Sequence, residues 1–208
     1  MRAARQRTVL EAEHAMPKIE RDSLMALEVY AVQRAQFRTE VMAHKKNRTV
    51  RLGGNVTLNF EDELTIRYQI QEMLRAERIF ERQGIDDELE AYNPLIPDGR
   101  NFKATMMLEY TDPEERRIWL GKLIGIEDKT WIQVEGRERV WAVADEDLER
   151  ETAEKTSSVH FLRFELSEEL AHALKRGAAL AIGIDHPHYQ AEIDAPSQVR
   201  SALVADLA

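Results

Sequence analysis

Glu77, together with the pair His186 and His188, offers the clearest residue types and settings for chemistry. At about 100° per residue, Glu77 projects between Ile70, Met73 and Phe80, in the middle of an apolar helical stripe. A carboxylate placed there must find a cation, a hydrogen-bond donor, a metal or a proton. The plain alternative is a buried ion pair, with Arg34 in a matching position among the apolar residues of its own helix. Such a pair fixes an arrangement while adding little net stability, because both charges lose water. Exposure at the edge of the stripe is the third reading. His186 and His188 lie in GIDHPHY, two residues apart. In an extended segment they project to the same side, so both imidazoles could meet one ion. Asp185, Tyr189 and Glu192 add oxygen donors. Against this, Pro187 turns the chain, and loop histidines more often satisfy local hydrogen bonds.

A site of this kind would hold Zn, Mn or non-haem Fe through imidazole nitrogen and carboxylate oxygen. Its chemistry would be hydrolytic through metal-bound water, or oxygen-linked at an open iron position. Arg67, Arg75 and Arg100 form a second candidate group, because guanidinium grips carboxylate or phosphate in a bidentate manner. Surface salt links are their ordinary role, and Glu63 and Arg67 have the favourable i,i+4 spacing. His160 alternates with Leu162 and Phe164 on a strand face and reads as a hydrogen-bonded core residue. His172 reads as structural. The sequence has no HExxH, no paired Glu-x-x-His of a di-iron bundle and no GxSxG elbow. It also lacks a phosphate-binding GxxxxGK[ST] loop and a Rossmann GxGxxG.

The element expected to position Glu77 runs from Phe60 to Gly84 as one helix of about six turns. Ile66, Ile70, Met73, Leu74 and Phe80 give it one apolar face. Leu64, Tyr68 and Ile79 give a second, so it should be covered from two directions. A long helix before it starts near Asp22 or Ser23 and ends near Lys46. Two short strands, 49–52 and 56–60, surround Gly53-Gly54-Asn55. Phe102 to Tyr110 reads as a strand, followed by a helix with Asp112 as cap and Pro113 at its first position. A hairpin is expected at 129–134 and 137–144, with Glu135-Gly136 at its turn. An acidic helical turn or loop follows at 145–155. Val159 to Leu166 reads as a strand, Ser167 caps a helix, Ala178 to Ile184 is an inner strand, and Pro196 to Leu207 forms a terminal helix. Strand pairs adjacent in sequence, without strict βαβ alternation, predict an α+β fold. Its mainly antiparallel sheet would pack against the long central helix and additional helices.

Residues 1–17 read as a flexible N-terminal tail and residues 18–208 as a single domain. That domain has a helix-rich part at 18–92 and a sheet-rich part at 93–208, expected to share one core. The 38 acidic and 29 basic residues give a net charge of −9, which opposes general nucleic-acid binding. HKKNR at 44–48 is one small basic patch against that background. The absence of cysteine excludes disulfides, thiolate nucleophiles and Cys-ligated metal, and it suits a cytoplasmic setting. No run of 18 apolar residues predicts a membrane span.

FEDELTIRYQIQEMLRAERI (60–79), YNPLIP (92–97), KATMMLEY (103–110) and GIDHPHY (183–189) together resemble a bacterial family of unknown function, DUF3501. The resemblance spans most of residues 19–207 and implies no activity. Genes of that family sometimes lie near rubrerythrin-like and iron–sulfur proteins, which implies a link to peroxide defence or iron-dependent redox metabolism. The matching phrases contain Glu72, Glu77, Glu109, His186 and Tyr189, so Glu109 joins the candidate metal ligands on this ground. Three functions follow as expectations. The first is a binding or accessory protein, metal-associated and serving a redox system. The second is a mononuclear metal enzyme using His186 or His188 with carboxylates. The third is a structural interaction protein with a protein partner or a homo-oligomeric surface.

Overall fold

The computed structural model describes residues 18–144 and 155–208; the N-terminal tail and most of the acidic 145–155 stretch lie outside them. In chain order the described residues form helix α1 (Leu27–Lys45), strands β1 (Thr49–Leu52) and β2 (Val56–Phe60), and helices α2 (Glu63–Glu77) and α3 (Arg82–Tyr92). Strand β3 (Asn101–Leu108), helix α4 (Pro113–Lys122), and strands β4 (Thr130–Val134), β5 (Arg139–Trp141) and β6 (Val143–Ala144) follow. The chain ends with β7 (Val159–Glu165), α5 (Glu168–Lys175), β8 (Leu180–His186), β9 (Tyr189–Asp194) and α6 (Ser197–Ala205). This is the expected α+β class, with every strand pairing antiparallel.

The strands make two sheets, β1-β2-β3-β7-β6 and β5-β4-β8-β9. Ala142 carries the chain from one to the other: its N–H still bonds Thr130 O at 2.9 Å, and the next residue pairs with β7. Across the far seam the Tyr189 hydroxyl donates to Leu52 O at 2.5 Å and accepts from Asn55 N–H at 3.1 Å. Gly53 allows this approach, since a Cβ there would sit 2.6 Å from the Tyr189 oxygen and its φ is +67°. Period-2 alternation sends Phe102, Ala104, Met106 and Leu108 of β3 inward. They join Ile132, Val134, Phe164, Ile182 and Ile184 in the larger core, which α4 to α6 help to close.

The helix expected over 60–84 is two helices. Asp62 and Thr65 form a capping box that starts α2, so Phe60 stays in β2 and packs edge-on to Phe102. The break comes at Arg78, in the left-handed region at φ +57°, where Ile79 N–H turns back to Leu74 O at 2.9 Å. Ile79 thereby reaches a second, smaller apolar cluster of Ile19, Ile66, Ile70, Leu74, Leu89 and Ile96. Gly84 belongs to α3, beneath Ile79, whose Cγ2 would lie 2.7 Å from an added Cβ. Two apolar clusters therefore replace the single core expected, because α1 to α3 pack on one another while the sheets enclose their own interior. The buried Glu61 carboxylate links them, accepting from Thr65 at 2.5 Å and Thr105 at 2.7 Å. Arg48, from the sequence's basic patch, is 4% exposed and binds Asp62 and Asp206. Burial works against its charge, yet Asp206, Asp62 and Glu61 outweigh that and hold its pKa above the ordinary value.

Candidate functional site

Glu77 ends α2 as an exposed residue, outside the apolar cluster, because the chain turns away at Arg78 and Phe80 is itself 64% exposed. The carboxylate that meets Arg34 is Glu72, one and a half turns earlier. Arg34 donates from Nε and Nη2 at 2.7 Å each, and the Tyr30 hydroxyl donates at 2.6 Å. The Arg34 hydrogen bonds hold Glu72 at about 2, against desolvation, with help from Tyr30 and Arg75. Burial and the Glu72 carboxylate together push the Tyr30 phenol above its ordinary value. This is a closed cluster with its acceptors used.

The two imidazoles do meet, with ring centroids 5.8 Å apart. His188 N–H donates to His186 Nδ1 at 3.2 Å, which leaves the His186 proton on Nε2, facing Ile124 O at 3.1 Å. Both nitrogens of His186 are thus occupied by backbone, and the side chain pins the β8–β9 turn to the loop after α4. Glu109 stands just past β3 and accepts from Thr57 at 2.6 Å. Among the described residues no three His, Cys, Asp or Glu side chains gather as a metal site. The arginines are equally dispersed. Arg67 donates to Ser23 and Glu63, Arg75 lies 3.5 Å from Glu72, and Arg100 is exposed before β3. Arg67 and Arg75 are eight residues apart on one helix, about 12 Å along its axis, and each is paired with its own glutamate. His160 is fully buried and bonded to Thr156 at 2.9 Å, as its strand position implied.

An open polar surface lies on the outer face of the four-stranded sheet. Because Ile132 and Val134 enter the core, Trp131 and Gln133 face outward on β4. Register then sets Trp131 opposite Trp141 on β5 and Gly183 on β8, with Glu192 beyond on β9. Asp185 and Gln190 pair on the same face. The Trp131 indole lies against Gly183, where any Cβ would come within 2.3 Å of its Cζ2 and 2.7 Å of its Cε2. Arg139 lies over the ring, 4.0 Å from its centroid and 5.9 Å from that of Trp141, and pairs with Asp185 at 3.2 Å. A shallow groove of about 350 Å³ runs between Trp131, Arg139, Asp185, Gln190 and Glu192. Trp131 is 1% exposed, and its indole Nε1–H has no acceptor among the described residues. Nε1 is bonded to Cε2, so this orphan donor belongs to the ring edge beside β8, the strand that walls the groove. An unmet buried donor costs about 1–3 kcal/mol.

These residues were legible only indirectly. The hairpin expected at 129–144, with a two-residue turn at Glu135-Gly136, sets Trp131 against Val140; the observed loop is longer, which shifts the register by one residue and brings Trp141 opposite Trp131. The role of Gly183, in an apolar run, emerges only when the indole is placed against it.

The fold occurs in a solved relative. A crystal structure of a protein of unknown function from Burkholderia pseudomallei is 52% identical to this chain and superposes with a TM-score of 0.88. The match covers 92% of this chain and all of the other. No curated protein matches the sequence. The model of the family described as "Protein of unknown function (DUF3501)" matches residues 18–207, and the chain belongs to that family.

Proposed function

We propose that the protein is a binding protein whose recognition surface is the outer face of the four-stranded sheet, and that it receives a basic side chain of a polypeptide partner. The observation that carries this reading is the open groove in which Asp185 and Glu192 stand beside Trp131 and Arg139. Trp141, 43% exposed, and Arg139 supply tryptophan and arginine, the residue types that dominate protein interfaces. Asp185 and Glu192 give the groove two carboxylates against one guanidinium, and Arg139 is already engaged by Asp185. A lysine or arginine entering there meets Glu192 and Asp185 beside the Trp131 ring. The groove has room for one long side chain, and its openness to solvent suits a chain passing over it.

The test is a pair of labelled peptides of equal length, one lysine- and arginine-rich and one acidic, titrated by fluorescence anisotropy. Saturable binding of the basic peptide alone is expected. It should weaken with salt and disappear in Trp141→Ala and in Asp185→Asn/Glu192→Gln. Equal binding of both peptides, or of neither, would refute the proposal.

The metal-associated reading now rests on His186 and His188. An ion there would require His186 Nε2 to release Ile124 O, so it competes with the bond that fixes the turn.

A further inference from the structure

Helix α1 packs against α2 through Tyr30, Arg34, Phe37 and Val41 and leaves its opposite side to solvent. At about 100° per residue, the stripe opposite Tyr30 is Glu28, Val32, Ala35, Thr39, Ala43 and Lys46, with Met42 on its flank. Val32 is 84% exposed. In a chain that is 32% charged, four consecutive stripe positions between Glu28 and Lys46 carry no charge. The Thr39 hydroxyl donates back to Ala35 O at 2.9 Å, so its polar atom is spent within the helix and its methyl faces outward. Spacings of four and three residues along such a stripe make the seam of a helix pair.

We infer that α1 packs antiparallel against α1 of a second copy of this chain, about a two-fold axis at residue 37. Charge complementarity selects that occupant. Around residue 37, Glu28 meets the partner's Lys46, Val32 meets the partner's Met42, and Ala35 meets the partner's Thr39. Two-fold symmetry repeats each contact. Neither Glu28 nor Lys46 forms an ion pair within the described residues, so both are available. The alanines and the threonine methyl permit close approach of the helix axes. A parallel pair would instead set Glu28 against Glu28 and Lys46 against Lys46, with repulsion at both ends. The helix is about 28 Å long, so the contact is small and the dimer should dissociate on dilution.

Sedimentation velocity of the full chain over a concentration series tests this. A monomer–dimer equilibrium is expected, with Val32→Glu weakening it at least about tenfold. Glu28→Lys and Lys46→Glu should each weaken it, and the double variant should restore it. Because the chain has no cysteine, cross-linking is unambiguous. Ala35→Cys mixed with Thr39→Cys should give the mixed disulfide under mild oxidation, while Ala35→Cys alone should not self-link. A monomer at every concentration, a dimer indifferent to Val32→Glu, or efficient self-linking of Ala35→Cys would each overturn the inference. Circular dichroism of each variant confirms that these solvent-facing changes leave the helix intact.

Discussion

Replacing Glu72 by alanine should destabilise the protein by about 2 kcal/mol. The carboxylate accepts from Arg34 twice, at 2.7 Å, and from Tyr30 at 2.6 Å. Hydrogen bonds to charged groups are each worth about 1.5–3 kcal/mol, but this cluster sits at the edge of the α1–α2 contact. Glu72 is 19% exposed and Arg34 32%, so solvent screening cuts the sum substantially. For a chain of this size the loss corresponds to about 4–8 °C in Tm. Chemical denaturation of the parent, Glu72→Ala, Arg34→Met and the double variant separates cluster from context. Arg34→Met should cost far less once Glu72 is gone. The pH dependence has a definite sign. The folded Glu72 titrates at about 2, below its ordinary 4.5, so its contribution is complete above 4.5 and is lost as pH falls towards 2. Glu72→Gln should remove that acid limb. Glu77→Ala, by contrast, should fall within about 0.5 kcal/mol of the parent, as an exposed site does. Equal losses at the two positions, or additive behaviour of Arg34 and Glu72, would refute this reasoning.

Gly183→Ala should destabilise by about 1–3 kcal/mol and shift tryptophan emission, since its Cβ would meet Trp131 at 2.3 Å and the backbone Ala191 O at 2.9 Å. Denaturation followed by fluorescence checks both effects. Arg78→Gly should stabilise by about 1 kcal/mol, because glycine adopts φ +57° without the Cβ conflict; a rise in Tm is the readout. Elemental analysis of protein purified without added metal should find no stoichiometric ion that is lost in His186→Ala/His188→Ala. A stoichiometric metal that disappears in that variant would restore the metal-site reading.

Apolar periodicity and turn residues made much of the fold legible. The hairpin around Gly53-Gly54-Asn55 and the Asp112 cap with Pro113 stand where local chemistry puts them, whereas the strand expected over 137–144 starts at Arg139 and divides at Ala142 between the two sheets. Periodicity failed at Arg78 because a helical wheel assumes continuation, and no glycine or proline at that position announces a stop. Extending the wheel through the break moved Glu77 onto a buried face it does not occupy. Arg34 did find a carboxylate partner, but choosing Glu72 over Glu77 required knowing the register between two helices. The β8–β9 hairpin divided its candidates similarly. His186 and Tyr189 face the interior seam and act as fasteners, while Asp185, Gln190 and Glu192 face the groove. Residue spacing revealed the alternation there, but only the sheet register revealed which side was open.

The indole N–H of Trp131 offers the most direct measurement of the proposed binding surface. The chain has three tryptophans, so a ¹⁵N–¹H spectrum should show three indole resonances, assigned through Trp119→Phe, Trp131→Phe and Trp141→Phe. Addition of the basic peptide should move the Trp131 and Trp141 resonances together, because a cation seated beside Asp185 and Glu192 changes the field at both rings. The acidic peptide should leave both in place. A basic peptide that binds while Trp131 and Trp141 stay unmoved, or that shifts Trp119 alone, would contradict recognition on this face.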